Sequence, residues 1–235
     1  MKCILSAEHI QKKYGGNTVL RDVSVHVKQG EIYGLVGRNG SGKTTLLRVL
    51  TGLIQEYAGT VAVGERNNQK GKVAAIINDP ALFLNMNALE NLREQVCLLG
   101  LRDDGKIEAA LKTVGLEDCK KKLVREFSLG MTQRLKLAMA LLQKPDILIL
   151  DEPVNELDPD GIADLRELLL RLNRVDGITI IVSSHILSEL EQTATCFIIL
   201  HNGEIVKEFY TQDVFESGKT IEEIYMQHTK EGVRS

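Results

Sequence analysis

The sequence predicts an α/β fold in which strand–helix alternation at both ends of the chain encloses a helical insertion. Three observations predict it. The runs Glu31-Ile32-Tyr33-Gly34-Leu35-Val36 and Ile147-Leu148-Ile149-Leu150 are nearly all apolar, as strands buried on both faces must be. Val23, Val25 and Val27 alternate with polar residues, as on a half-buried antiparallel strand. Between about Asn87 and Lys144 the period changes to that of a helix, with Leu89, Leu92, Val96 and Leu99 recurring among charged residues.

Taken in order, the first thirty residues read as strand material and lead into the buried strand at 31–36. A glycine-rich loop follows, then a helix from Lys43 to about Gly52, then one short β region through Thr60–Val63 and Val73–Ile77. Ile107, Leu111 and Val114, and then Leu135–Leu142, continue the helical insertion. Alternation resumes with a strand at Ile147–Leu150, a helix at Ile162–Val175, a strand at Ile178–Ser184, and strands near Cys196–Leu200 and Ile205–Phe209. From about Thr211 the chain is polar and reads as a short helix or a loose tail.

Composition narrows the function. With 235 residues and 43% hydrophobic content, the chain can bury one core, or one core plus a smaller subdomain. A net charge of −3 provides no basic field for nucleic acid or an anionic membrane. Aromatic residues are 4% and Trp is absent, against a stacking platform for single strands. Cys3, Cys97, Cys119 and Cys196 lie far apart with no C-x-x-C pair, so neither a zinc site nor a disulfide framework is expected, and free thiols fit a reducing cytosol. No signal peptide and no membrane span are expected, because no apolar stretch is long enough.

Gly37-Arg38-Asn39-Gly40-Ser41-Gly42-Lys43-Thr44 has the spacing G-x-x-x-x-G-K-[ST] between a buried strand and a helix. Glycines let backbone N–H groups wrap phosphate oxygens, and the following helix turns its positive end to the same anion. Lys43 supplies a charge to the outer phosphates and Thr44 a hydroxyl to Mg²⁺. The second buried strand ends in Asp151-Glu152-Pro153, at the edge where open α/β sheets bind ligands. Asp151 is the candidate Mg²⁺ ligand, and Glu152 the candidate base for an attacking water.

Phe127-Ser128-Leu129-Gly130-Met131-Thr132-Gln133-Arg134, ahead of the acidic strand, resembles the L-S-G-G-Q signature of ABC ATPases. Leu129 and Met131 depart from it, in the F-S-x-G-M form that resembles cassettes of bacterial peptide-antibiotic and bacteriocin-type exporters. The resemblance spans about residues 1–210 and implies a P-loop NTPase with a RecA-like core, an antiparallel β subdomain and an inserted helical subdomain at about 87–140, all in one ABC ATPase domain over 1–235. It implies that ATP and Mg²⁺ bind at Gly37, Asn39, Gly40, Ser41, Gly42, Lys43, Thr44 and Thr45, with Tyr14 stacking on adenine. Ser128 and Gly130 would hold the γ-phosphate of the opposite subunit's ATP, and Asp158, in Asn155-Glu156-Leu157-Asp158, would lie in the loop that crosses the dimer interface. His185 would be the switch histidine at the γ-phosphate. Asn78 stands where the family usually has Gln, reaching Mg²⁺ or the attacking water, just ahead of a loop with Leu82 and Phe83 that meets the membrane partner.

The implied function is ATP hydrolysis in a head-to-tail homodimer or heterodimer of cassettes, coupled to movement, in the direction of export, through a separate transmembrane permease. The implied location is the cytoplasmic face of the cell membrane. Two other classes are weighed against it. ABC ATPases acting on DNA or ribosomes usually carry tandem cassettes, long coiled coils or zinc modules, none of which is present here. A nucleotide-binding regulator without turnover has no need of Glu152.

Overall fold

The computed structural model describes residues 2–66, 69–78 and 81–230. Strands β1 (Cys3–Tyr14) and β2 (Asn17–Lys28) form a hairpin, and β3 (Ile32–Val36) runs into α1 (Lys43–Leu50). Next come β4 (Ala58–Val63), the short pair β5 (Glu65–Arg66) and β6 (Gln69–Lys70), and β7 (Val73–Ile76). The helical stretch is α2 (Ala88–Leu98), α3 (Lys106–Thr113) and α4 (Leu129–Leu141). It is followed by β8 (Ile147–Asp151), α5 (Pro159–Arg174), β9 (Thr179–Ser184), α6 (Leu187–Glu191), β10 (Cys196–His201), β11 (Glu204–Tyr210), α7 (Thr211–Ser217) and α8 (Ile221–Lys230).

Six strands form the central sheet in the order β11-β10-β3-β9-β8-β7, parallel apart from β11. Both faces are covered, which is why these strands read as unbroken apolar runs. On β8, Leu148 and Leu150 enter one core with α4, α5 and the helical insertion, while Ile147 and Ile149 enter a second core with α1 and the antiparallel sheet. The same division repeats on β9, with Ile180 and Val182 on one side and Ile181 on the other.

The single β region expected at Thr60–Val63 and Val73–Ile77 is two regions in different sheets. β4 pairs antiparallel with β1 in the sheet β2-β1-β4, whereas β7 pairs parallel with β8 at the edge of the central sheet. The turn from Gly64 through β5 and β6 to Gly71 carries the chain from one sheet to the other. Beyond Thr211 the chain forms α7 and α8, anchored by Val214 and Ile221 in the larger core.

Helix starts follow local chemistry. Asp158 caps α5 by accepting the Gly161 N–H (2.8 Å), and Pro159 opens the first turn, so α5 begins three residues earlier than the apolar periodicity at Ile162 suggests. Leu165, Leu168, Leu169 and Leu172 form its buried face. Asn87 and Glu90 close α2 with a reciprocal capping box. Ser128 caps α4, accepting from Met131 N at 3.2 Å.

Candidate active site

The C-terminal ends of β3, β8 and β9 lie side by side, with Val36 opposite Ser184 and Asp151 opposite Ser183. The residues that follow these ends therefore meet at one edge. They line an open cleft of about 940 Å³ with Tyr14, Asn39, Gly40, Gly42, Lys43, Thr44, Thr45, Asn78, Asp151 and Glu152 on its walls.

The loop after β3 is shaped by two glycines. A Cβ on Gly37 would lie 2.4 Å from Leu200 O, and Gly42 has φ +108° with Leu20 at 2.9 Å from any added Cβ. Gly42 ends in the left-handed region and starts α1 directly, so the first N–H groups of that helix face the cleft. Within the loop, the buried hydroxyl of Ser41 has no hydrogen-bond partner among the described residues, a group that a phosphate oxygen could satisfy.

Lys43 is 4% exposed, and its Nζ donates to Gly37 O at 2.8 Å and lies 3.2 Å from Glu152 Oε1. The other carboxylate oxygen of Glu152 accepts from Asn155 Nδ2 at 2.8 Å and lies 3.0 Å from His185 Nδ1. Burial alone would push the Glu152 carboxyl up. The Asn155 amide, the Lys43 ammonium and His185 together more than offset it and hold the carboxyl below its ordinary range. Glu152 is thus an ionised acceptor at neutral pH, at the mouth of the phosphate loop. Its backbone is left-handed, with φ +47°, and so is that of Asn78, with φ +58°.

Thr44 Oγ1 donates to Asp151 Oδ2 at 2.7 Å. A hydroxyl and a carboxylate in contact beside a phosphate loop, with the Asn78 carboxamide on the same cleft, form a set of hard oxygen donors that fits Mg²⁺. Among the described residues no group of three or more His, Cys, Asp or Glu could hold a metal, and Mg²⁺ needs none, since it takes much of its shell from water and phosphate.

Tyr14 stands at the cleft rim, 46% exposed, with Lys12 Nζ 4.9 Å from its ring centroid. The buried Lys12 also bonds Glu56 O and so fixes the ring. Ser128, Gly130 and Asp158 are not brought to Lys43. They line an adjoining cleft with Met131, Arg134 and Asp164, and Leu129, 55% exposed, and Glu156 border both clefts. Any Cβ on Gly130 would meet nothing within 4 Å, so nothing in this chain requires a glycine there. Asp79 and Pro80, the two residues after Asn78, lie outside the described residues.

Sequence reasoning missed Asn155 as a partner of Glu152, Lys12 as the support of Tyr14, and Ser183. Asn155 lies three residues past Glu152, and that short spacing was the one available signal. Ser183 acts across strands that the sequence does not pair, whereas Lys12 and Tyr14 lie two residues apart on one face of β1, a spacing open to reading in the sequence.

A family model described as "ABC transporter" matches residues 20–155. The chain is 42% identical over 214 residues to the bacitracin transport ATP-binding protein BcrA of Bacillus licheniformis, covering 88% of this chain and 70% of that one. It is 36% identical over 225 residues to the lantibiotic transport ATP-binding protein SrtF of Streptococcus pyogenes, covering 94% of this chain and 96% of that one. A solved structure of an ATP-binding subunit of an ABC transporter superposes with a TM-score of 0.79 at 29% identity, covering 95% of this chain and 98% of that one.

Proposed function

The chain belongs to the ABC transporter family, and we propose that it is the ATP-hydrolysing subunit of an exporter of peptide antibiotics of the bacitracin or lantibiotic kind. The observation that carries the reading is the contact of Glu152 with Lys43: the water-activating carboxylate and the phosphate lysine share one cleft with the Thr44–Asp151 pair.

Lys43 and the N–H groups at the start of α1 bind the phosphates, and Tyr14 offers its open ring face to the base. Thr44 and Asp151, with Asn78, would hold Mg²⁺, which would supply charge neutralisation for the phosphate oxygens. Glu152 accepts the proton of the attacking water, and His185 beside it donates toward the oxygens of the γ-phosphate as the bond to ADP breaks.

The separation of Ser128, Gly130 and Asp158 from Lys43 supports a site completed by a second cassette, each cleft of this chain serving a different nucleotide. The solvent-facing Phe83 and Leu84, just beyond Asn78, offer apolar contacts to a separate membrane subunit, and no helix among the described residues is long and apolar enough to cross a membrane. Assembly on such a subunit would hold the chain at the cytoplasmic face, where ATP is.

A host in which Lys43→Ala replaces the wild-type chain is the test. It should become several-fold more sensitive to an external bacitracin-type or lantibiotic peptide, with the protein still present at wild-type level. Unchanged sensitivity to both peptides would count against export of this cargo class.

A further inference from the structure

Ser183 lies outside every motif of the sequence and yet joins the two acidic residues of the site. It is fully buried on β9, directly opposite Asp151 on β8. Its Oγ donates to Asp151 Oδ1 at 2.6 Å and accepts the Glu152 N–H at 2.9 Å. One hydroxyl therefore holds the side chain of the first acid and the backbone of the second. The other oxygen of Asp151 accepts from Thr44 at 2.7 Å, so that carboxylate is fixed on both sides.

The backbone of Glu152 is where this bond has most effect. A left-handed φ of +47° is unfavourable for a glutamate and persists only where the surroundings impose it. Strand pairing ends at Asp151, so the ladder does not impose it. The Ser183 hydroxyl takes the Glu152 N–H at the point where the chain leaves the strand, and the turn then presents the carboxylate to Lys43 and His185. A core serine whose only need was satisfaction would find it at a nearby backbone carbonyl. Ser183 instead uses both its donor and an acceptor lone pair on consecutive residues of the site.

We propose that Ser183 is a positioning residue for hydrolysis: its hydroxyl bridges Asp151 and Glu152 and holds Glu152 in the conformation that aims its carboxylate at the attacking water. The proposal rests on the assignment of Glu152 as the base made above. It predicts a loss of turnover without a matching loss of nucleotide binding, because Lys43 and the phosphate loop are untouched.

The experiment measures steady-state ATPase and fluorescent-ADP affinity for Ser183→Ala, Ser183→Thr and Ser183→Cys, each also combined with Glu152→Gln, with folding checked by circular dichroism. For Ser183→Ala, kcat should fall about tenfold to a hundredfold. KM and ADP affinity should stay within about threefold of wild type. Ser183→Thr, which keeps the hydroxyl, should retain most of the rate. In the Glu152→Gln background Ser183→Ala should change the residual rate by less than about twofold, since both act through one carboxylate. If Ser183→Ala does not fold, the Thr and Cys variants decide. Cys is close to Ser in size but a weak donor, so turnover kept in Thr and lost in Cys supports the bridge, and equal rates overturn it. Wild-type kcat in folded Ser183→Ala overturns the proposal, as does a loss of kcat matched by an equal loss of ADP affinity. Wild-type kcat in Glu152→Gln alone would instead overturn the assignment of Glu152 on which the proposal rests.

Discussion

At the scale of the residue, Glu152 has two uses that exclude each other. Its carboxylate pairs with Lys43 at 3.2 Å, and in the proposed reading the same lysine is the group that a phosphate recruits. Lys43 is buried, so an ADP phosphate has to compete with Glu152 for a charge that water scarcely reaches. Glu152→Gln removes the competing charge, and ADP affinity should rise by about threefold to tenfold, the scale of one partly buried charge contact. A fluorescent-ADP titration reads this directly, and unchanged or weaker binding would contradict the competition. Lys43, Thr44, Asp151 and Glu152 could be singled out because they stand in the phosphate-loop spacing or at the end of a buried strand, whereas His185 could be singled out only by resemblance. Ser183 was not legible, because it ends an apolar run as any serine might, and nothing in the spacing says that its strand lies beside β8. The left-handed backbone of Asn78 was also hidden, although Asn is among the residues that tolerate it best, which gives a backbone reason for a carboxamide one methylene shorter than Gln.

At the scale of the element, the segment bearing Phe83 and Leu84 is held from beneath. Asn91, buried on α2, accepts the Phe83 N–H at 2.8 Å and donates to Phe83 O at 3.1 Å, and Arg125 N bonds Leu84 O at 3.0 Å. Both apolar side chains therefore face solvent from a fixed backbone. Asn91→Ala leaves the Phe83 N–H without its partner, while Phe83 O keeps the Met86 N–H at 3.0 Å, and should lower stability by about 1–3 kcal/mol. It should also reduce ATPase stimulation by the membrane subunit more than the basal rate. Thermal melting and ATPase assays with and without the partner in lipid check both, and full stimulation in the variant would contradict a role for this segment in coupling. In the sequence Asn91 looks like one more polar position among the periodic leucines, and only the turn of α2 reveals that it points inward. The strands of the central sheet were legible because burial on both faces leaves nearly all-apolar runs. The assignment of β4 and β7 to different sheets was not, because short apolar stretches look alike whichever neighbour they pair with. The helices after Thr211 were weakly legible for a similar reason, since their apolar contacts come from few residues, Val214 and Ile221 among them.

At the scale of the whole molecule, the account depends on two adjoining clefts that share Leu129 and Glu156 but carry different residues. The phosphate loop, Asp151 and Glu152 line one, while Ser128, Gly130 and Asp158 line the other. The side chain of Ser128 caps its own helix, and the space over Gly130 is open, so the second cleft presents a helix N-terminus and a bare glycine outward. In the proposed reading, a phosphate presented by another copy of the chain would meet that surface, and ATP would lie between two cassettes as part of their interface. In this reading hydrolysis would remove the phosphate that both cassettes hold, and the dimer would open once per turnover and drive a membrane partner. The direct measurement is sedimentation of the Glu152→Gln chain with and without Mg²⁺ and ATP. The account predicts a shift from the 26.1 kDa chain to a species of twice that mass when ATP is present, with little phosphate released. A chain that binds ATP yet stays at the mass of one copy, or that turns over at the wild-type rate, would contradict it.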